Sequence, residues 1–407
     1  MEKLVGNISD RTLFQQQLLY HFQHQKNIVF LNSNNAEKEN LLALSNSDNC
    51  TDNNWKFGFV GYDYKNKLEQ LSSAHFDGIA FADKHFFTPE FLFKIRENEV
   101  EVFYDSQQYA ELTVKELLNQ IAQIEIGEAV TASIKTNPRI SKSDYLKNVN
   151  SLKNHIKQGD IYEINYCQEF YAEKVEINPI HLYFKLNKKS PTPYSCFVKQ
   201  GDKYLLSASP ERFIHKKGDE LISQPIKGTI KRGENKEEDE QLKKQLFNDE
   251  KERSENVMIV DLVRNDLSRI AQKDTVNVDE LCGIYTYPQV HQMISTVSAQ
   301  LQPEISFDEI LKATFPMGSM TGAPKISAMK LIEKYEQTKR GLYAGTVGYI
   351  DEQGDFDFNV VIRSIQYNQT NSYLSFIVGG AITDKSVPEK EYEECMLKAK
   401  AIFEVLK

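Results

Sequence analysis

From residue 161 to residue 382 the chain returns seven times to one pattern, an apolar-rich run of strand character, and this most narrows the folds open to it. The runs are IYEINYCQEFYAEKV, KYLLSASPERFIHKK, ELISQPIKGTI, VHQMISTVSAQL, LYAGTVGYI, FNVVIRSIQY and SYLSFIVGGAI. Turn signals such as Glu352-Gln353-Gly354-Asp355 and Asn368-Gln369-Thr370-Asn371 separate several of them. Links this short join antiparallel neighbours, whereas parallel strands need a crossover of about a dozen residues or more. Helices are expected at about 236–257, 322–337 and 388–405, and one more starts near Ser143 as its cap. Its apolar stripe is Leu146, Val149, Leu152 and Ile156, and Gly159 ends it. The fold class is therefore α+β with large antiparallel sheets, not a parallel βαβ fold.

Thr136-Asn137-Pro138 marks a break, because the residue before a proline disfavours helix. It divides the chain into regions 1–135 and 136–407; the first is rich in Asn, Gln and aromatics and carries few signals beyond the strand-and-turn segment GFVGYDYKN. A net charge of −9 argues against a nucleic-acid partner, which would require a basic surface. The N-terminus has no apolar run of signal-peptide length, and no stretch reaches the length of a membrane span. The expected address is the cytoplasm. Five scattered cysteines without a C-x-x-C pair indicate neither a zinc site nor a disulfide framework.

A few residues lack a structural reason. Lys227, in Gln-Pro-Ile-Lys-Gly-Thr, sits in an apolar strand context. Either it reaches solvent from a strand end, or it is buried, loses its charge and becomes a nucleophilic amine. Glu252 and Glu255 lie three apart, as do Glu391 and Glu394, so each pair shares a helix face. Such pairs are common on solvated faces, but VMIVDLVRND beside Glu255 is apolar enough to bury its helix, and a carboxylate on that edge needs a cation. Oxygen ligands of this kind suit Mg²⁺. Period-two alternation puts Arg363 on one strand face with Val361 and Ile365, where its guanidinium wants a carboxylate from the protein or from a ligand. In PMGSMTGAPKISAMKLIEKYE, Thr321 or Ser319 can cap a helix whose first turn holds Pro324. His291 shares a face with Met293, Val297 and Leu301; it is either a satisfied core histidine or a proton-transfer group.

Taken in order, SASPERF, PIKGT, ERSENVMIVDLVRNDL, HQMIST, FPMGSMTGAPKISAM, RGLYAGTVGY, VIRS and GGAITDKSVPEKEYEECMLKAKAI resemble the motifs of the chorismate-utilising enzymes. That family includes anthranilate, aminodeoxychorismate, isochorismate and salicylate synthases. The match is dense from about 140 to 405 and thin before. The resemblance implies an anthranilate-synthase-like fold, two large antiparallel sheets flanked by helices, and a Mg²⁺ that anchors a carboxylate of chorismate. It implies Glu255 and Glu394 as metal ligands, with Glu252 and Glu391 holding the metal's waters. Tyr343, Arg363, Ser319, Gly228, a Gly379-Gly380 turn and Lys398 correspond to the residues that grip the substrate.

The lysine of PIKGT separates the branches: anthranilate synthases carry alanine there, and the branch that aminates chorismate at C4 carries lysine. The scheme implied for that branch has Lys227 adding at C2 while the C4 hydroxyl leaves, assisted by Glu211 of SPERF, after which ammonia attacks C4 and expels the lysine. His291 stands among the catalytic motifs. Water-adding relatives place a lysine where this chain has Glu163, and amine-adding relatives usually have glutamine, so Glu163 is a departure from both. Ala381, in place of a third glycine, is another. No G-x-C-x-G glutaminase pattern surrounds any cysteine. The resemblance therefore implies a separate glutamine amidotransferase subunit as the ammonia source, and a separate pyridoxal-phosphate lyase acting on the product. Anthranilate synthase component I is the nearest alternative; isochorismate synthase and a non-catalytic chorismate-binding subunit are others.

Overall fold

The computed structural model describes residues 1–35, 38–127 and 133–407. Every strand pairing within its two sheets is antiparallel. The larger sheet has 12 strands, and its central order is Asn27–Asn32, Tyr194–Gln200, Lys203–Ser209, Ser364–Asn368, Tyr373–Ile382 and Glu163–Glu173. The smaller has 9, running from Ile226–Lys231 through Val290–Gln300, Glu220–Gln224, Arg212–Lys217, Phe356–Asn359 and Thr346–Ile350 to Lys56–Val60 and Lys84–Phe87. Helices flank both, so the chain has the α+β architecture expected. Strands from before and after residue 135 share both sheets: Asn27–Asn32 pairs with Tyr194–Gln200, and Lys56–Val60 with Thr346–Ile350.

Two of the seven runs are each two strands in different sheets. KYLLSASPERFIHKK breaks at Pro210-Glu211, where proline has no N–H for a ladder, and passes from the larger sheet to the smaller. FNVVIRSIQY makes the opposite passage at residues 360–363. The two passages run side by side, because their strands pair on both sides of the break and the Val360 N–H donates to the Glu211 carbonyl at 3.0 Å. Arg363 therefore does not alternate within a strand, as the period-two reading had it. It sits at the crossing with φ of +50°, its carbonyl accepting from the Ala208 N–H at 3.1 Å. Both motifs bend where the sheets meet.

The helix from Lys142 to Gln158 is capped by Ser141, whose hydroxyl accepts from the Asp144 N–H at 3.0 Å, and not by Ser143; Gly159 ends it at φ +84°. The helical run from 236 is two helices, Lys236–Asn248 and Glu250–Ser268, hinged at Asp249. That residue closes the first and caps the second by accepting from the Glu252 N–H at 3.0 Å. The helix Lys325–Tyr335 starts at Pro324 without a side-chain cap, since the Thr321 hydroxyl donates to the Met317 carbonyl and the Ser319 hydroxyl to Glu211. Four cysteines are buried and Cys50 is exposed. Among the described residues no helix is long and apolar enough to cross a membrane.

Candidate active site

Lys227 lies in the edge strand Ile226–Lys231, and its ammonium points inward: the side chain is 10% exposed and donates to Glu163 Oε1 at 2.8 Å. Glu163, the first residue of its strand in the other sheet, is buried. This ion pair spans the two sheets. Burial alone would strip the amine of its proton, as the sequence reading supposed. Here burial is outweighed by Glu163, then by Glu255 and Glu211, which hold the Lys227 pKa above its ordinary value. The resting amine is charged, a correction with a plain cause: the carboxylate beside it.

Glu211 is buried at the sheet crossing, where the Ser319 hydroxyl donates to its Oε1 at 3.0 Å. Burial raises its pKa to about 7 against the opposing pulls of Ser319, Lys227 and Arg363. A carboxyl poised there can give or take a proton near neutrality. Arg363, on the far side of the crossing, makes no side-chain hydrogen bond or ion pair among the described residues, and burial lowers its pKa. Its pocket is lined also by Thr192, Pro210, Tyr287 and Gln292. Glu211 attracts the guanidinium from nearby, but no carboxylate among the described residues is paired with it directly.

Gly228, next to the lysine, has φ of +90°, and a Cβ there would come within 3.2 Å of Glu252 Cβ, Glu252 Oε2 and Leu246 Cδ1. Glycine is needed for both reasons. Gly228→Ala should cost about 1–3 kcal/mol of stability and push Glu252 away, read as a lowered midpoint in thermal unfolding; an unchanged midpoint would remove this account of the glycine.

The two glutamate helices, Glu250–Ser268 and Pro388–Val405, are brought together by a lysine. Lys251 Nζ lies 3.7 Å from Glu255 Oε1 and 3.7 Å from Glu391 Oε1. Burial raises the Glu255 pKa to about 7, with Lys227 and Lys251 opposing it and Glu163 and Glu252 reinforcing it. Burial raises that of Glu252 too. Glu394 is lowered: burial is overcome by Lys398, whose ammonium is 2.7 Å from Glu394 Oε1 and also donates to the Gly379 carbonyl at 3.1 Å. Among the described residues no three acidic, histidine or cysteine side chains converge as a ready ligand set. Yet one oxygen each of Glu163, Glu255 and Glu391 is buried without a hydrogen-bond donor among them. Lys251 escaped the sequence reading; its spacing of four from Glu255 in EKERSEN was the available signal.

Gly379-Gly380 is not a turn: both lie within the strand Tyr373–Ile382, opposite Cys167 and Tyr166. A Cβ at Gly379 would strike Cys167 Sγ at 2.3 Å, and one at Gly380 would face Glu391, Glu394 and Lys398 at 3.6–3.8 Å. Tyr343 is buried, with the Cys167 thiol donating to its oxygen at 3.9 Å. His291 stands apart from these groups. Its ring is fully buried, Nε2 is 2.9 Å from Asp239 Oδ1 and Nδ1 is 2.9 Å from Thr286 Oγ1. Both nitrogens are occupied by protein side chains, as in a satisfied core histidine.

A family model described as chorismate binding enzyme matches residues 7–404. Aminodeoxychorismate synthase component 1 of Bacillus subtilis (strain 168) is 31% identical over 361 residues, covering 86% of this chain and 76% of that protein. Anthranilate synthase component 1 of Acetivibrio thermocellus is 32% identical over 369 residues, covering 86% and 74%. The chloroplastic aminodeoxychorismate synthase of Arabidopsis thaliana is 40% identical over 267 residues, 65% of this chain, and the match spans only 29% of that longer protein. The crystal structure of anthranilate synthase component I from Streptococcus pneumoniae TIGR4 superposes with a TM-score of 0.76 at 31% identity, covering 86% of this chain and 80% of that one. With this match running through nearly the whole length, and with Lys227, Glu211 and the two glutamate helices gathered around the meeting of the sheets, the chain belongs to the chorismate-binding enzyme family.

Proposed function

We propose that the chain aminates chorismate at C4 with ammonia, giving 4-amino-4-deoxychorismate, a precursor of para-aminobenzoate and folate. The observation that carries this reading is Lys227, a primary amine buried against Glu163, at the position where the resemblance implies alanine for the anthranilate-forming branch. In the proposed reaction the Lys227 amine bonds to C2, the ring double bond shifts, and the C4–O bond breaks as Glu211 gives its proton to the departing hydroxyl, releasing water. Ammonia then bonds to C4, the double bond shifts back, the C2–N bond to lysine breaks, and the C4 ammonium returns a proton to Glu211. Two displacements in series preserve configuration at C4, a reason to use a covalent step.

Arg363 matches one substrate carboxylate in charge and fork geometry. The donor set of Glu252, Glu255, Glu391 and Glu394 is all hard oxygen, and two of its oxygens lack a donor, which fits Mg²⁺. When bound, that ion supplies positive charge for the second carboxylate. The expected ammonia source is a separate glutamine amidotransferase subunit, replaceable in vitro by ammonium.

Relatives named for anthranilate synthesis are as similar as those named for C4 amination, so the product decides. Incubation with chorismate, Mg²⁺ and ammonium should give, by mass spectrometry, a product that retains the enolpyruvyl side chain, with no pyruvate released. Fluorescent anthranilate with matching pyruvate would overturn the reading. A divalent chelator should abolish turnover, and indifference to it would count against the glutamate site.

A further inference from the structure

Glu163 has no role in the reaction as written above, yet the structure gives it a specific contact. Its Oε1 receives the sole side-chain hydrogen bond of Lys227 among the described residues, at 2.8 Å, and its Oε2 is buried without a donor. A lysine can attack carbon only as the neutral amine, so its proton must go somewhere before the C2–N bond forms. Other charged groups lie around it. Glu252 and Glu255 come from one helix, Glu394 and Lys398 from the other, and Glu211 from the sheet crossing. None of these is in hydrogen-bond contact with the ammonium; among the described residues only Glu163 is.

We propose that Glu163 is the proton acceptor for Lys227, receiving the ammonium proton across their direct contact before attack and returning it when the lysine is expelled. This rests on the amination reading above. The accounting closes within the pair. Lys227 ammonium and Glu163 carboxylate become amine and carboxylic acid. The amine bonds to C2 and later leaves with its electron pair as a neutral amine. The proton on Glu163 then restores the original pair. In the adduct the nitrogen bonded to C2 carries a positive charge that the Glu211 carboxylate balances; once the lysine has left, the pair has its starting charge again, so this transfer exchanges no proton with bulk water. Burying the site under substrate favours the neutral pair over separated charges. A glutamine could orient the amine but could not hold its proton.

Internal transfer leaves a distinctive pH dependence in formation of the covalent adduct, chorismate less water on Lys227, measured by intact-protein mass spectrometry without ammonia. For the unaltered protein the rate should fall above about pH 7 as Glu211 loses its proton, with no rising limb between pH 6 and 9. In Glu163→Gln the amine must lose its proton to water. The rate should then acquire a rising limb of up to tenfold per pH unit, and Glu163→Ala with added formate should lose that limb again. Thermal unfolding of both variants checks that they are folded. A Glu163→Gln profile of the same shape as the unaltered protein's, merely scaled, or a rising limb already present in the unaltered protein, would overturn the proposal. Absence of any adduct in the unaltered protein would overturn the lysine reading itself, and is distinguishable because it appears before any substitution is made.

Discussion

Lys227→Ala is expected to lower amination of chorismate with ammonium by about a thousandfold or more, the loss that follows when a covalent nucleophile is removed and no neighbour replaces it. The side chain points into the protein, so its loss is not the loss of a surface charge. Nor can Lys251 or Lys398 take over: the first lies between Glu255 and Glu391, the second is tied to Glu394 and to the Gly379 carbonyl. The substitution also leaves Glu163 buried without its partner, and unfolding midpoints must be compared alongside rates. The decisive quantity is turnover with saturating chorismate and ammonium by folded protein. A rate near that of the unaltered chain would remove the nucleophile role while leaving family membership intact. Loss of turnover with chorismate still bound, read by ligand-induced thermal stabilisation, separates chemistry from binding.

The α+β architecture was legible because short turns force antiparallel neighbours, and the turns at 352–355 and 368–371 do join the hairpins expected of them. What periodicity could not show is that a continuous apolar run can change sheets. SASPERF and VIRS each read as part of one strand, and each instead bends where the sheets part, so Glu211 and Arg363 belong to the site because of the bend. Facing relations between helices distant in sequence were equally hidden. Glu255 and Glu391 share Lys251 only because the C-terminal helix returns to the core, a tertiary fact with no local signature. The charge state of Lys227 depended on Glu163, 64 positions earlier, so a rule about burial alone gave the wrong direction. For His291 the pattern could not show that Asp239 and Thr286 occupy its two nitrogens. In each instance the local pattern identified the residue and the missing information was its partner.

The same reasoning predicts a large effect on stability at Arg340, the first residue of RGLYAGTVGY, which has no role in the sequence reading. Its side chain is 1% exposed, and its guanidinium makes four hydrogen bonds: two to Glu336 at 2.9 and 2.6 Å, one to the Met320 carbonyl at 2.7 Å and one to the Asn165 carbonyl at 2.9 Å. It also lies over the Tyr62 ring at 4.4 Å, tying region 1–135 to the rest. Arg340→Met keeps much of the volume but leaves the Glu336 carboxylate with only the Cys167 N–H and two backbone carbonyls with lost donors. Breaking a buried pair from one side costs about 3–5 kcal/mol, enough to consume much of an ordinary domain's stability. Denaturant unfolding should show it as a lowered midpoint. Because Met320 and Asn165 flank Ser319 and Glu163, the surviving folded fraction should also turn over more slowly. Adding Glu336→Leu removes the stranded charge and should recover part of the loss. A single substitution costing under about 1 kcal/mol, the range of an exposed pair, would show that this network does not hold the N-terminal strands and the Lys227 pocket together.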